Sequence, residues 1–327
     1  MDHILPLSVF GAPISVETTS AEVHAGLEAE WTDFVTGYDP QGPLIRVRVT
    51  CYRHELDYCH ARHDLITQRG AGVWPCRKCV GDILFDASLD KHFLAYTPNV
   101  DAVVSEVGWI IGRIVYRHLG PNTVALHASA VVDDTGAGVL FLGPSGAGKS
   151  TLAALMVAHG WRLVANETTY VDVGDGDGAD DVAGGDGDVA PPVGPRLRGL
   201  PSPVELEPPS VDLVQALTGL DPRSRSFRAR AHGETFSEAE ARLRLIVLPS
   251  LSPDRPLRLA RSSEEQAHTQ LTLRHIPGSI YRQAVAPPAG WTAALLSRVP
   301  AWTLDGVLED RQPLDWITQA AHGEFVR

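Results

Sequence analysis

The sequence predicts an α/β fold organised around a strand, a glycine-rich loop and a helix, with a smaller α+β module in front. Three observations predict it. The apolar run Val139-Leu140-Phe141-Leu142 reads as a buried strand. It passes directly into Gly143-Pro144-Ser145-Gly146-Ala147-Gly148-Lys149-Ser150-Thr151, which fits the pattern G-x-x-x-x-G-K-[ST]. Residues 152–157, LAALMV, helix formers with a continuous apolar face, follow at once. A second apolar run, 161–165, then ends in the polar pair Asn166-Glu167.

That order gives the loop the chemistry of a phosphate cradle. Glycines at 143, 146 and 148, with Ser145 and Ala147 between them, let successive backbone N–H groups turn inward toward phosphate oxygens. The helix N-terminus adds partial positive charge. Lys149 is placed to reach the β- and γ-phosphates, the Ser150 hydroxyl to ligate Mg²⁺, and Thr151 completes the pattern. The expected ligands are therefore ATP and magnesium.

The front module, residues 1–119, is read from periodicity. Residues 19–37 have apolar positions Val23, Leu27, Trp31 and Phe34 at helical spacing behind a Thr19 or Ser20 cap. Residues 44–50 alternate apolar and basic, as a half-buried strand does. Residues 82–97 read as a hairpin, and residues 100–119 as the strongest helix of this half. Between them, residues 51–80 hold all four cysteines. Cys76 and Cys79 have the two-residue gap of a zinc knuckle, and Cys59 with His63 would be the second pair of ligands. The wide separation of Cys51 from Cys59 favours unrelated thiols in a loop over zinc.

Residues 120–327 form the second expected domain. The segment 174–195 is rich in Gly, Asp and Pro and has few bulky apolar residues, so a disordered insertion is expected there. Residues 210–220 read as a short helix capped by Ser210. Arg223, Arg225, Arg228 and Arg230 form a basic cluster, readable as a solvated loop or as an arm that contacts phosphates or an anionic substrate. A buried strand is expected at 242–248, helices at 262–275, 291–298 and 312–322, and a strand at 300–304.

Composition excludes some functions. The chain of 327 residues is 44% apolar and 21% charged, and its formal charge of −12 argues against nucleic acid as a partner. There is no run of about 18 apolar residues to span a membrane. Met1 to Pro6 shows no basic region leading an apolar run, so the cytoplasm is the expected compartment. The sequence leaves homo-oligomerisation open.

Residues 126–167, LHASAVV followed by GVLFLGPSGAGKSTLAALMVAHGWRLVANE, resemble HPr serine kinase and the wider group of HprK-related kinases. The resemblance is close over about 120–173 and looser to about 322. It implies a P-loop kinase core of the HPr kinase and phosphoenolpyruvate carboxykinase type, and ATP-dependent phosphorylation of a hydroxyl. The acceptor it implies is a peptide or a small metabolite, with a ribosomal peptide precursor as one candidate. It also implies site roles. His127 would line the active site, position 166 would take the acceptor's proton, and Glu167 would assist the metal. Where the family has Asp, this chain has Asn166, and an amide cannot accept a proton at neutral pH. Three readings follow from that. Glu167 or His127 is the base, catalysis is lost while nucleotide binding is kept, or the chain is an inactivated variant. A nucleotide-binding module that regulates or scaffolds a partner is thus the alternative, and phosphoester hydrolysis or phosphorolysis a third reading. The ABC-type ATPases share the loop, but no Leu-Ser-Gly-Gly-Gln follows it, and the strand at 242–248 runs into Pro249-Ser250 rather than Asp-Glu.

Overall fold

The computed structural model describes residues 3–35, 45–51, 57, 59–60, 72–75, 81–85, 91–95, 99–116, 119–174, 194–200, 206–224, 227, 241–252, 254–276 and 287–324. The chain divides into two compact units, with the break between His118 and Leu119.

In the first unit, β1 (His3–Val9) and β2 (Ala12–Thr18) form an antiparallel hairpin. Phe10 and Gly11 turn it, with φ of 50° and 80°, the paired left-handed residues a two-residue hairpin turn requires. Then come α1 (Ala21–Glu30), a 3-10 turn (Thr32–Phe34), β3 (Ile45–Cys51), β4 (Gly72–Pro75), β5 (Gly81–Phe85), β6 (Lys91–Ala95) and α2 (Val100–Tyr116). The sheet order is β1-β2-β3-β6-β5-β4. Ser20 caps α1 by accepting the Val23 N–H at 3.3 Å, and Asn99 accepts the Ala102 N–H at 3.1 Å at the start of α2. Val23, Leu27, Trp31 and Phe34 are all buried, the face the helical spacing predicts.

The second unit contains β7 (Thr123–Leu126), β8 (Ala128–Val132), β9 (Ala137–Leu142), α3 (Lys149–Ala158), β10 (Arg162–Ala165), β11 (Thr169–Asp172), β12 (Arg196–Gly199), α4 (Pro208–Thr218), β13 (Ala241–Leu251), β14 (Arg258–Arg261), α5 (Glu264–Arg274), α6 (Trp291–Leu296), β15 (Ala301–Gly306) and α7 (Gln312–Ala321). Its sheet runs β10-β8-β9-β13-β12-β11-β7, with β15 parallel to β13 and β14 on β15. Both faces are apolar. One carries α3, α4 and α7 through Leu152, Leu155, Val214 and Ile317. The other carries α5 and α6 through Ala267, Leu271, Trp291 and Leu295. This is an α/β architecture with mixed sheets.

Strand β10 does not lie beside β9; β8 lies between them and is antiparallel to both. Two antiparallel steps leave β9 and β10 running the same way, so the crossover through α3 still returns the chain to the edge where the glycine loop lies. The stretch LHASAVV is two strands broken at His127, where the chain leaves β7, paired with β11, and enters β8, paired with β9 and β10. The short helix starts at Pro208 with Glu207 as its cap position, and Ser210 instead accepts a hydrogen bond from Thr151 at 2.9 Å.

The expected insertion joins β11 to β12, whose ends pair Asp172 with Arg196; residues 175–193 lie outside the described residues. No helix among the described residues is long and apolar enough to cross a membrane.

Candidate nucleotide site

The loop 143–148 follows β9 without a break and opens α3. Gly146 and Gly148 have φ of 78° and 101°, conformations an L side chain adopts only under strain. A Cβ at Gly148 would also collide with Leu251, at the end of β13, whose N–H bonds the Ala147 carbonyl at 3.2 Å. Strand β13, parallel to β9, thus buttresses the loop from below. No side chain caps α3, and the first N–H groups of a helix have no intrahelical acceptor. Lys149 is only 7% exposed, and its Nζ donates to the Pro144 carbonyl at 3.0 Å. Burial lowers the Lys149 pKa, the Glu167 carboxylate raises it, and the Arg274 charge lowers it.

Beneath the loop lies Asn166, 0% exposed. Its Oδ1 accepts from the Ser150 hydroxyl and from the Ser129 hydroxyl, each at 2.9 Å. The Ser150 hydrogen points down at the amide, so the oxygen lone pairs of Ser150 are left for a ligand above. Asn166 is an orienting group in this geometry and does not open onto solvent. Ser129, in the middle of β8, was not singled out from the sequence. A lone hydroxyl in the apolar run 128–132 was the available signal, because a buried polar group needs a partner.

Glu167 is 64% exposed at its side chain and has φ of 85°, a left-handed conformation that costs a non-glycine residue about 1–3 kcal/mol. The His127 Nδ1 lies 3.1 Å from the Glu167 carbonyl and 3.4 Å from its Oε2. Both oxygens only accept, so Nδ1 carries the proton and Nε2 is the acceptor in the neutral ring. The His127 N–H donates to the Arg274 carbonyl at 2.8 Å. The structure thus gathers His127, Lys149, Ser150, Asn166 and Glu167 at one edge of the sheet, together with the backbone of Arg274, a residue that no local pattern singles out.

Of the remaining expected residues, only some are described. Arg223 bonds Asp221 through Nε at 3.0 Å, while Arg225, Arg228 and Arg230 lie outside the described residues. Of the suggested zinc ligands, Cys59 is an exposed free thiol, and His63, Cys76 and Cys79 lie outside the described residues. Burial pushes the Cys51 thiol up. No group of three or more His, Cys, Asp or Glu side chains that could hold a metal occurs among the described residues. Magnesium on a nucleotide does not require one, since phosphates and water supply most of its octahedron. The Ser150 hydroxyl and the Glu167 carboxylate are oxygen donors, the type a hard cation takes.

In comparison with known proteins, no family model matches the chain and no curated protein matches it.

Proposed function

We propose that the second unit is a P-loop kinase core of the HPr kinase type, and that it transfers the γ-phosphoryl group of ATP to a hydroxyl of a peptide or small metabolite. The observation that carries this reading is Asn166 Oδ1 receiving the Ser150 and Ser129 hydroxyls beneath the glycine loop. That arrangement turns the Ser150 hydrogen toward Asn166, which supports a role for its oxygen as a ligand. Ser150 and Glu167 would hold magnesium, which when bound neutralises charge on the β- and γ-phosphates.

The chain's own groups supply the rest. Lys149 exchanges the Pro144 carbonyl for phosphate oxygens, and the N–H groups at the start of α3 cradle them. The acceptor oxygen attacks phosphorus, the bond from phosphorus to the β–γ bridging oxygen breaks, and ADP leaves. The acceptor's proton goes to the Glu167 carboxylate, which His127 orients through Nδ1–H. A loose transition state asks little of that base, so an amide at 166 is compatible with turnover. The resemblance assigns the proton to position 166, whereas burial of Asn166 makes Glu167 the better candidate.

The test is transfer of γ-labelled phosphate to hydroxyl-bearing peptides and small alcohols. Wild type should label an acceptor, and Glu167→Gln should lower the rate by about 10²–10⁴-fold. One observation favours a second reading, a nucleotide-binding module weakened in catalysis: the buried position under Ser150 is a neutral amide. Binding of ATP with no transfer by wild type, Asn166→Asp or Glu167→Gln would favour that module over the kinase.

A further inference from the structure

The last turn of α5 holds an arginine in an unusual setting. Its backbone is tied to the edge of the sheet beside the candidate site. Besides the bond from the His127 N–H to the Arg274 carbonyl, the Ile276 N–H donates to the Ala125 carbonyl at 2.8 Å, and Leu126 pairs with His275 in an antiparallel bridge. These two bonds, which make up the bridge, pin residue 274 against residue 127, and His127 in turn touches Glu167. Among the described residues, the buried Arg274 Nε has no hydrogen-bond partner, and the same holds for Gln270 Oε1 one turn earlier and for His275 Nε2. Gln270 and Arg274 are four residues apart, on one face of the helix.

A buried guanidinium nitrogen without an acceptor is costly and calls for an explanation. Complementing the helix dipole is not sufficient, because an exposed side chain in the last turn does that equally well. The charge of Arg274 is also felt by Lys149, whose pKa it lowers in addition to burial, against the opposing effect of Glu167. The backbone clamp places Arg274 beside His127, whose ring meets Glu167, and the repulsion Lys149 feels from it is one that a bound polyanion would relieve. Guanidinium has the planar fork that matches two phosphoryl oxygens at once.

We propose that Arg274 is a phosphoryl-binding residue, delivered to the site from α5 by the backbone clamp at 125–127 and contacting the γ-phosphoryl group on the side away from Lys149. This rests on the nucleotide reading of the loop. It adds a specific property, discrimination between tri- and diphosphate, that the loop alone does not provide.

The test is calorimetric titration of the full chain with Mg·ATP and, separately, Mg·ADP. Arg274→Ala should weaken Mg·ATP by about 10–100-fold, the worth of a charge-assisted contact, and leave Mg·ADP within about twofold. Arg274→Lys should fall between, since it keeps the charge and loses the fork. Lys149→Ala should weaken both nucleotides. A purely structural role for Arg274 would lower the melting temperature without moving the ratio of ATP to ADP affinity, and an unchanged ratio overturns the proposal. If Arg274→Ala does not fold, Arg274→Lys reads the same ratio, and an unchanged value there overturns it equally. Failure of the underlying reading looks different: wild type would bind neither nucleotide.

Discussion

Replacing Asn166 with alanine removes one acceptor and strands two donors. Ser129 is 1% exposed, so its hydroxyl loses its partner with no access to water, a loss of about 1–3 kcal/mol. Ser150 is half-buried and can turn to solvent, a smaller loss of about 0.5–1.5 kcal/mol. Together these give about 2–4 kcal/mol, which for a unit of this size corresponds to a drop of about 4–16 °C in Tm. Asn166→Asp should behave differently. A carboxylate keeps both acceptor sites at nearly the same shape, so both serine hydroxyls stay bonded, and a negative charge beneath Ser150 favours a cation above it. Thermal melts should therefore rank wild type and Asn166→Asp well above Asn166→Ala. Mg²⁺-dependent ATP affinity should fall for Asn166→Ala and be retained or raised for Asn166→Asp. An Asn166→Ala protein that melts with wild type and binds Mg·ATP equally well would refute the claim that Oδ1 holds the two hydroxyls.

Glu167→Gly should stabilise the chain while removing transfer. Relief of the left-handed strain at φ 85° is worth about 1–3 kcal/mol, and the added freedom of glycine in the unfolded chain takes back about 0.5–1 kcal/mol. A gain of about 1 kcal/mol with loss of phosphoryl transfer is expected in paired melting and labelling assays, and a loss of stability would contradict the strain argument. His275 predicts an acid-sensitive term. Burial holds its imidazole below the usual 6.5, so the unfolded chain takes up the proton first. Stability is then full above about pH 6.5 and is lost as pH falls through that value toward the lower folded pKa. His275→Phe, placed beside Trp291 at a ring distance of 6.2 Å in the native residue, should flatten the melting profile between pH 7.5 and 5; an acid slope identical to wild type would rule out His275 as the source.

Much of the site was legible because its signals are local. The strand β9, the glycine loop and α3 lie in one continuous stretch, and the apolar run into Asn166-Glu167 marks β10. The partners were not legible. Ser129, Ser150 and Asn166 meet only because β8 lies between β9 and β10, a sheet order no periodicity encodes. Arg274 reaches His127 through a bridge between distant segments, and a basic residue in the last turn of a helix otherwise reads as a complement to the dipole. The β1–β2 hairpin was hidden by its prolines, which weaken a strand reading. Pro6 lies on the edge strand β1, and Pro13 precedes the first β2–β3 pair, Ile14 with Ile45, so neither removes a bond from the middle of the sheet. The strongest helices, by contrast, appeared close to where their apolar spacing put them, α2 at Val100–Tyr116 and α7 at Gln312–Ala321.

The central claim is that the loop closed by Lys149 and Ser150 binds a magnesium nucleotide. Calorimetric titration of ATP into the full chain, with and without Mg²⁺ and with Lys149→Ala alongside, tests it most directly. The account predicts a single site that needs magnesium and is lost in Lys149→Ala while that variant keeps its fold, because among the described residues the Lys149 ammonium donates only to the Pro144 carbonyl. Binding of ATP to Lys149→Ala with undiminished affinity, or no binding to wild type at any magnesium concentration, would contradict it.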